Sequence, residues 1–194
     1  KDDEGGPPTL REIEQIENKY QLQKEGKAEY SKFDAALSMR RKEEIGMSLE
    51  EQLRDDPRYT GLSEKEFNKE VQKHRDEYLG PLDCIDRYLD ILNRPGLYDS
   101  IGTDREGRWQ AFLDYYNNVY KQLSSDKKRL DLNVNEEEIG KVDDVAFKLI
   151  RYREFPDMKV HVLMRKLPKL LRDNSSKTEL LELVDIDQEL DDKE

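Results

Sequence analysis

Helix initiation signals are the feature of this chain that most restricts its fold. Five segments have a hydroxyl residue followed three positions later by glutamate, and they begin at Thr9, Ser48, Ser63, Thr103 and Ser176. In such a capping box, the hydroxyl and the carboxylate satisfy amide donors that the first helical turn leaves free. Each of the five precedes apolar residues at helical spacing, so we predict an all-α protein.

Apolar spacing divides the predicted helices into an arm, a bundle and a C-terminal segment. We expect residues 1–47 to form a disordered start followed by a long helical arm, and residues 48–123 to form a small irregular helical bundle. Residues 124–135 show no early apolar period and are interpreted as a linker. Residues 136–194 are predicted to form a helical segment with an acidic tail.

Two proline positions are expected to interrupt helices. Gly80 and Pro81 together predict the end of one helix and the first turn of the next. Pro168 is expected to prevent one continuous helix through the segment around it, because proline lacks the amide hydrogen and its ring crowds the preceding turn.

Composition limits the size of the core and the classes of partner. Only 35% of the residues are hydrophobic and 41% are charged, so we do not expect a large compact core. The net charge of −11 opposes simple non-specific binding to nucleic acid. One cysteine cannot form an intramolecular disulfide, which indicates an intracellular protein. Because the chain begins with Lys1, we expect it to be part of a longer one.

The segment 103–123 holds the only tryptophan, and two interpretations apply to its aromatic side chains. One predicted helix face carries Trp109, Phe112, Tyr116, Leu123 and either Val119 or Tyr120. Packing of this face on the predicted helices of residues 64–78 and 82–92, to form the main core, is the first interpretation, since aromatic residues dominate small cores. A hot spot for a protein partner is the second. Tyr115 and Tyr120 are expected to be the more exposed members and are candidate partner-binding residues.

The predicted N-terminal arm is a second candidate partner-binding surface. Its narrow apolar stripe consists of Leu10, Ile13, Ile16, Tyr20, Tyr30, Phe33 and Leu37. Charged residues flank this stripe on both sides, so we expect the arm to lie along another protein instead of forming an independent core.

A basic segment near the C-terminus is the third candidate site. Its cations are Lys159, Arg165, Lys166, Lys169 and Arg172, and no acidic residue occurs between Met158 and Leu171. The segment could be a solvated helix face, a partner helix that docks against acidic residues, or a contact for nucleic acid phosphates. Together with residues 127–129 it could also act in nuclear localisation.

Catalytic and metal-binding patterns do not emerge from the sequence. Two histidines and the lone Cys84 give no zinc spacing, and Cys84 is expected to be buried. We therefore predict no enzyme activity, no metal site, no cofactor and no membrane association. The interpretation is a scaffold or regulatory subunit that contacts other protein subunits in a nuclear complex. The alternative is a chromatin- or nucleic-acid-associated module that uses residues 159–172.

Overall fold

The computed structural model describes residues 9–10, 13, 31–101, 105–152 and 158–186. Its regular structure is helical, and no strand occurs in these ranges, so the all-α prediction is confirmed. The chain divides into an N-terminal unit, Lys1–Leu82, and a C-terminal unit, Asp83–Glu194. This division differs from the predicted bundle of residues 48–123, because the segments before and after that range pack within the two units.

The N-terminal unit is built from short capped helices. Helix α1 spans Lys32–Glu44, α2 spans Leu49–Arg54 and α3 spans Glu64–His74, and a 3₁₀ turn covers Pro57–Tyr59. The apolar cluster of this unit contains Leu49, Leu53, Phe67, Val71 and Leu79. Helix α1 packs against α2 and against the turn that follows α3, so the C-terminal part of the predicted arm belongs to this unit.

The predicted capping boxes differ in outcome. Those of Ser48 and Ser63 are confirmed. Each serine hydroxyl accepts from the backbone N–H of the glutamate three residues later, and the carboxylate of that glutamate accepts from the backbone N–H of the serine. The Ser176 box is not formed. Helix α10, Asn174–Ile186, begins two residues earlier, and Asp173 accepts from the backbone N–H of Ser176. The boxes at Thr9 and Thr103 depend on residues outside the described ranges.

Gly80 and Pro81 do not end a helix, contrary to the prediction. A π turn covers Arg75–Leu79, and helix α4, Gly80–Ile91, follows it directly. The N–H of Gly80 donates to the carbonyl of Arg75, five residues earlier. A π turn widens the helix locally, which relieves the clash of the proline ring with the preceding turn. Gly80 accordingly keeps right-handed helical angles.

The C-terminal unit continues with six further α-helices within the described ranges. After a 3₁₀ turn at Tyr98–Ile101, helix α5 spans Arg105–Tyr115, a π turn covers Tyr116–Tyr120, and α6 spans Lys121–Leu123. Helix α7 spans Asp126–Asp131, α8 spans Ile139–Tyr152, α9 spans Val160–Arg172, and α10 follows. Helix α5 packs mainly against α9 and also against α8.

An aromatic cluster forms the centre of the C-terminal core. The ring centroids of Tyr88 and Phe112 lie 5.6 Å apart, and Phe147 lies 5.8 Å from Tyr88 and 5.7 Å from Tyr115. Trp109 is also buried, so the core position of this side chain is confirmed, but the main packing partner of α5 is α9 and not the predicted helix of residues 64–78. Aromatic side chains contribute large apolar surfaces to such a core.

Residues 124–135 form a folded connection, contrary to the linker interpretation. Helix α7 occupies half of this range, and Leu132 and Val134 are buried. Asn133 adopts a left-handed backbone with φ 58°, which turns the chain, and its carbonyl accepts from Nζ of Lys177 at 2.7 Å. The side chain of Asn135 and that of Glu138 form a reciprocal capping pair before α8.

Pro168 does not interrupt its helix, contrary to the expectation. Helix α9 runs through it, and Pro168 lies on the buried side together with Met164, Leu167 and Leu171. The missing amide hydrogen removes one hydrogen bond to the carbonyl of Met164. Burial of the apolar face of α9 offsets this loss, since tertiary packing supplies most helical stability in proteins.

Candidate functional site

A buried polar network lies inside the C-terminal unit. The Tyr115 hydroxyl donates to Oδ1 of Asp143 at 2.5 Å, and Nε of Arg87 donates to Oδ2 of the same carboxylate at 2.7 Å. Asp143 is 1% exposed, whereas the side chain of Arg87 is 44% exposed. The network therefore links a residue at the surface to the centre of the aromatic core.

Burial is the main cause of the pKa shifts in this network. It raises the pKa of Asp143, although the hydrogen bond from Tyr115 and the charge of Arg87 lower it in part. Burial also raises the pKa of Tyr115 well above its usual value, and the neighbouring Asp143 raises it further. The pKa of the Cys84 thiol is raised in the same way, so Cys84 is a neutral buried thiol as expected. These groups are enclosed and act as packing and hydrogen-bonding residues of the core.

A second buried carboxylate lies in the N-terminal unit. Asp56 accepts from the backbone N–H of Arg58 at 2.9 Å and from Nε and Nη2 of the same guanidinium. Burial alone would raise the pKa of Asp56, but these hydrogen bonds and the positive charge of Arg58 lower it overall. Asp56 is thus a charged N-cap of the Pro57–Tyr59 turn.

His74 lies between the rings of Tyr59 and Tyr78, next to the Pro57–Tyr59 turn. Its Nδ1 donates to the carbonyl of Glu70 at 2.9 Å, because a carbonyl oxygen can only accept, and its Nε2 lies 3.2 Å from the Tyr59 hydroxyl. The rings of His74 and Tyr78 stack with centroids 5.6 Å apart. In the tautomer with the proton on Nδ1, Nε2 accepts from the Tyr59 hydroxyl. We interpret the group as a support for the 3₁₀ turn.

The cations of the predicted basic segment fall into two sets. Arg165 is bound, because its Nε donates to Oδ2 of Asp114 at 2.8 Å. Arg172 is also bound, because its Nε donates to the carbonyl of Asp131 at 3.1 Å. Lys159, Lys166 and Lys169 are exposed and form no ion pair within the described ranges. The structure therefore leaves three lysines of the segment facing solvent.

Lys166 and Lys169 lie on the face of α9 that is opposite its core residues. Helical geometry of about 100° per residue places them on one side together with Val162, which is half-buried. Leu163 and Leu170, also half-buried, border this side. We call the surface formed by Val162, Leu163, Lys166, Lys169 and Leu170 the α9 face.

The residues predicted to contact partners are distributed differently from the expectation. Leu10 is 71% exposed and Ile13 is 39% exposed, whereas Ile16, Tyr20 and Tyr30 lie outside the described residues. Phe33 is buried within its own unit and Leu37 is half-buried. Phe33 therefore has no exposed surface to offer a partner in this structure.

The predicted exposure of Tyr115 is wrong. Tyr115 is fully buried, and Tyr120 is half-buried with its ring centroid 6.1 Å from that of Tyr115. Helix α5 is covered by α8 and α9 together, so its buried arc is wider than one stripe and includes Tyr115. Tyr116, which was expected on the core face, lies at the edge of this arc.

Sequence reasoning missed Asp143, although a signal for it exists. Asp143, Phe147 and Ile150 follow the i, i+4, i+7 spacing of one helix face, and all three are buried. Val142 is buried as well, whereas Leu149 is only half-buried. A carboxylate at a core position predicts a hydrogen-bonding partner, because buried polar groups are almost always satisfied.

Metal ligands and membrane spans give no further candidate. Across the described ranges, histidine, cysteine and carboxylate side chains form no group of three that could hold a metal ion. Within the same ranges, none of the helices combines the length and the apolar character that crossing a bilayer requires. Comparison of the chain with models of protein families, with curated proteins and with solved structures finds no match.

Proposed function

We propose that this protein is a non-catalytic scaffold or regulatory subunit that contacts other proteins in a larger, nuclear assembly. One observation carries this proposal: Lys166 and Lys169 are exposed, without ion pairs in the described ranges, on a helix whose opposite face is buried. A helix that is held in place by its core side presents these charges in a fixed geometry. Such pre-organisation reduces the entropic cost of binding.

The buried network supports a non-catalytic role. Asp143, Tyr115 and Cys84 have the perturbed pKa values that would otherwise indicate a catalytic site. All three are buried, and their pKa shifts have burial as the main cause. A substrate would have to open the aromatic core in order to reach them.

The apolar arm is a weaker basis for the proposal than the α9 face. Phe33 is buried and Leu37 is half-buried, so this part of the stripe is already packed within the protein. Leu10 and Ile13 remain exposed and continue to be candidates for partner contact.

A chromatin- or nucleic-acid-associated module remains the second candidate, because the same lysines could contact phosphates. Exposed Lys127 and Lys128 on α7 add two cations to those of the basic segment. These two basic runs are also the basis for a nuclear location.

Site-specific photocrosslinking in living cells tests the proposal. A photoreactive amino acid would replace Val162 on the α9 face, and a second chain would carry it at Lys65, an exposed position of α3. We expect discrete protein adducts from position 162 that are absent from position 65 and are lost when Lys166 and Lys169 are changed to glutamate. Adducts that nuclease removes would favour the second candidate, and identical adducts from both positions would contradict both.

A further inference from the structure

We propose that the α9 face binds an acidic, amphipathic segment of another protein. This inference rests on the interaction function proposed above and specifies the chemistry of the partner. It places partner carboxylates against Lys166 and Lys169, and partner aliphatic side chains against Val162, Leu163 and Leu170.

Two lysines of the basic segment are available to pair with carboxylates of a partner, whereas its two arginines already have partners in this chain. Arg165 and Arg172 are held by Asp114 and by the carbonyl of Asp131, so they fix α9 to its own unit. Lys166 and Lys169 have no such partner in the described part of the chain. A partner that brings carboxylates would complete ion pairs there without breaking an existing one. Complementary charge of this kind mainly increases the association rate and selects the partner.

Aliphatic residues next to the lysines support the amphipathic part of the inference. Val162 lies one turn before Lys166 on the same side of α9, and Leu170 directly follows Lys169. Each of these aliphatic side chains is half-buried, so part of its apolar surface remains accessible. From Val162 to Lys169 the face extends about 10 Å along the helix axis, which corresponds to two turns of a partner helix. Docking of a helix through spaced apolar residues is a common recognition mode.

Packing beneath the α9 face keeps it in one position. Met164, Leu167 and Leu171 are buried on the opposite side of the helix, and α9 packs against α5, α8 and α10. A partner therefore meets a surface that does not need to be ordered first, which lowers the entropic cost of binding.

Nucleic acid is a less suitable ligand for this face. The whole chain has a net charge of −11, and because residues 158–172 contain cations and no carboxylate, the rest of the chain is still more negative. A duplex extends well beyond the roughly 10 Å over which charges act at ordinary salt, so most of its phosphates would lie too far from these lysines to be attracted by them. The α9 face also has no aromatic residue on which a base could stack. A short acidic helix would remain within the basic area.

Binding measurements on the full chain with defined probes test the inference. The first probe is a fluorescent helix-forming peptide of glutamate and leucine with its leucines on one face. The second has the same composition in a permuted order, and the third is a DNA duplex of about two turns. We expect the amphipathic peptide to bind more tightly than the permuted peptide and the duplex at physiological salt, with a shallow dependence on salt.

Matched variants locate the binding site. Lys166→Glu with Lys169→Glu should lower the affinity for the amphipathic peptide by about tenfold or more, because electrostatic attraction becomes repulsion. Lys65→Glu with Lys69→Glu makes the same change in net charge on exposed positions of α3 and should have little effect. Lys166→Gln with Lys169→Gln, which adds no carboxylate to α9, should give a smaller weakening in the same direction.

Other outcomes would overturn the inference. Equal binding of the two peptides would show that charge alone is recognised, and equal weakening by the α3 variant would show that the site is not on α9. Tighter binding of the duplex, with a steep loss as salt rises, would identify a nucleic acid site. If the peptide does not bind but position 162 still gives discrete protein adducts, the partner chemistry is wrong while the proposed function stands.

Discussion

Replacement of Tyr115 by phenylalanine removes one oxygen from the centre of the C-terminal core. That hydroxyl donates a 2.5 Å hydrogen bond to Asp143, and both residues are buried. Phenylalanine fills the same ring volume, so the main change is a carboxylate oxygen left without a donor. An unsatisfied buried polar group of this kind costs about 1–3 kcal/mol. We expect a loss of about 2 kcal/mol in the free energy of unfolding, or a Tm lower by roughly 4–8 °C.

The pH dependence of this loss gives a sharper test. The hydrogen bond from Tyr115 lowers the pKa of Asp143, so the substitution should raise that pKa further above the unfolded value. A carboxyl group with a raised folded pKa contributes stability at low pH that is lost as pH rises through the folded pKa. The variant should therefore be most destabilised near neutral pH and closer to the wild type below about pH 4.

Tyr120→Phe is the matched control for this experiment. Tyr120 is half-buried in the same helical segment, and its hydroxyl makes no hydrogen bond within the described ranges. Urea unfolding of both variants across the acidic and neutral range would measure the two effects. Equal losses in the two variants, or a loss at Tyr115 that does not change with pH, would refute the assigned role of the hydrogen bond.

Three further changes test other parts of the structure by urea unfolding. Asp143→Asn removes the buried charge, so the stability of the variant relative to the wild type should increase as pH rises through the carboxyl range; a constant difference would contradict this. Asp56 has a lowered pKa and contributes stability that is lost as pH falls, so Arg58→Gln should cost about 1 kcal/mol at neutral pH and less in acid; an equal cost in acid would contradict the pairing. Ser63→Ala should cost about 1 kcal/mol because a formed capping box is lost, whereas Ser176→Ala should cost less than about 0.5 kcal/mol; the reverse order would contradict the observed caps.

Local signals predicted the fold class well because helix caps are short-range chemistry. Ser48 and Ser63 each act on amides within one turn, and no distant residue is needed to recognise them. The Ser176 prediction was wrong because Asp173 offers a competing acceptor three residues earlier. Burial of Trp109 followed from its helical spacing, since periodicity reports the core side of a helix.

Tertiary contacts account for what the sequence could not predict. Tyr115 is buried because two helices from later in the chain cover α5, and spacing along one helix does not contain that information. The residues that bind Arg165 and Arg172 are likewise distant in sequence, so the division of the basic segment into bound and available cations required the structure. The candidate segment was predicted, but the two lysines that carry the proposal were not distinguished within it.

The π turn at Tyr116–Tyr120 affects how this unit can tolerate changes of chain length. The N–H of Lys121 donates to the carbonyl of Tyr116, five residues earlier, so the turn contains one residue more than an α-helical turn. Deletion of Asn117 can be absorbed by conversion to ordinary α-helix, with Tyr115 and Leu123 keeping their positions in the core. A deletion within α5 cannot be absorbed in this way, because α5 has no extra residue and every later side chain would rotate by about 100° around the helix axis. We therefore expect the fold to tolerate a single-residue deletion at the π turn better than one within α5.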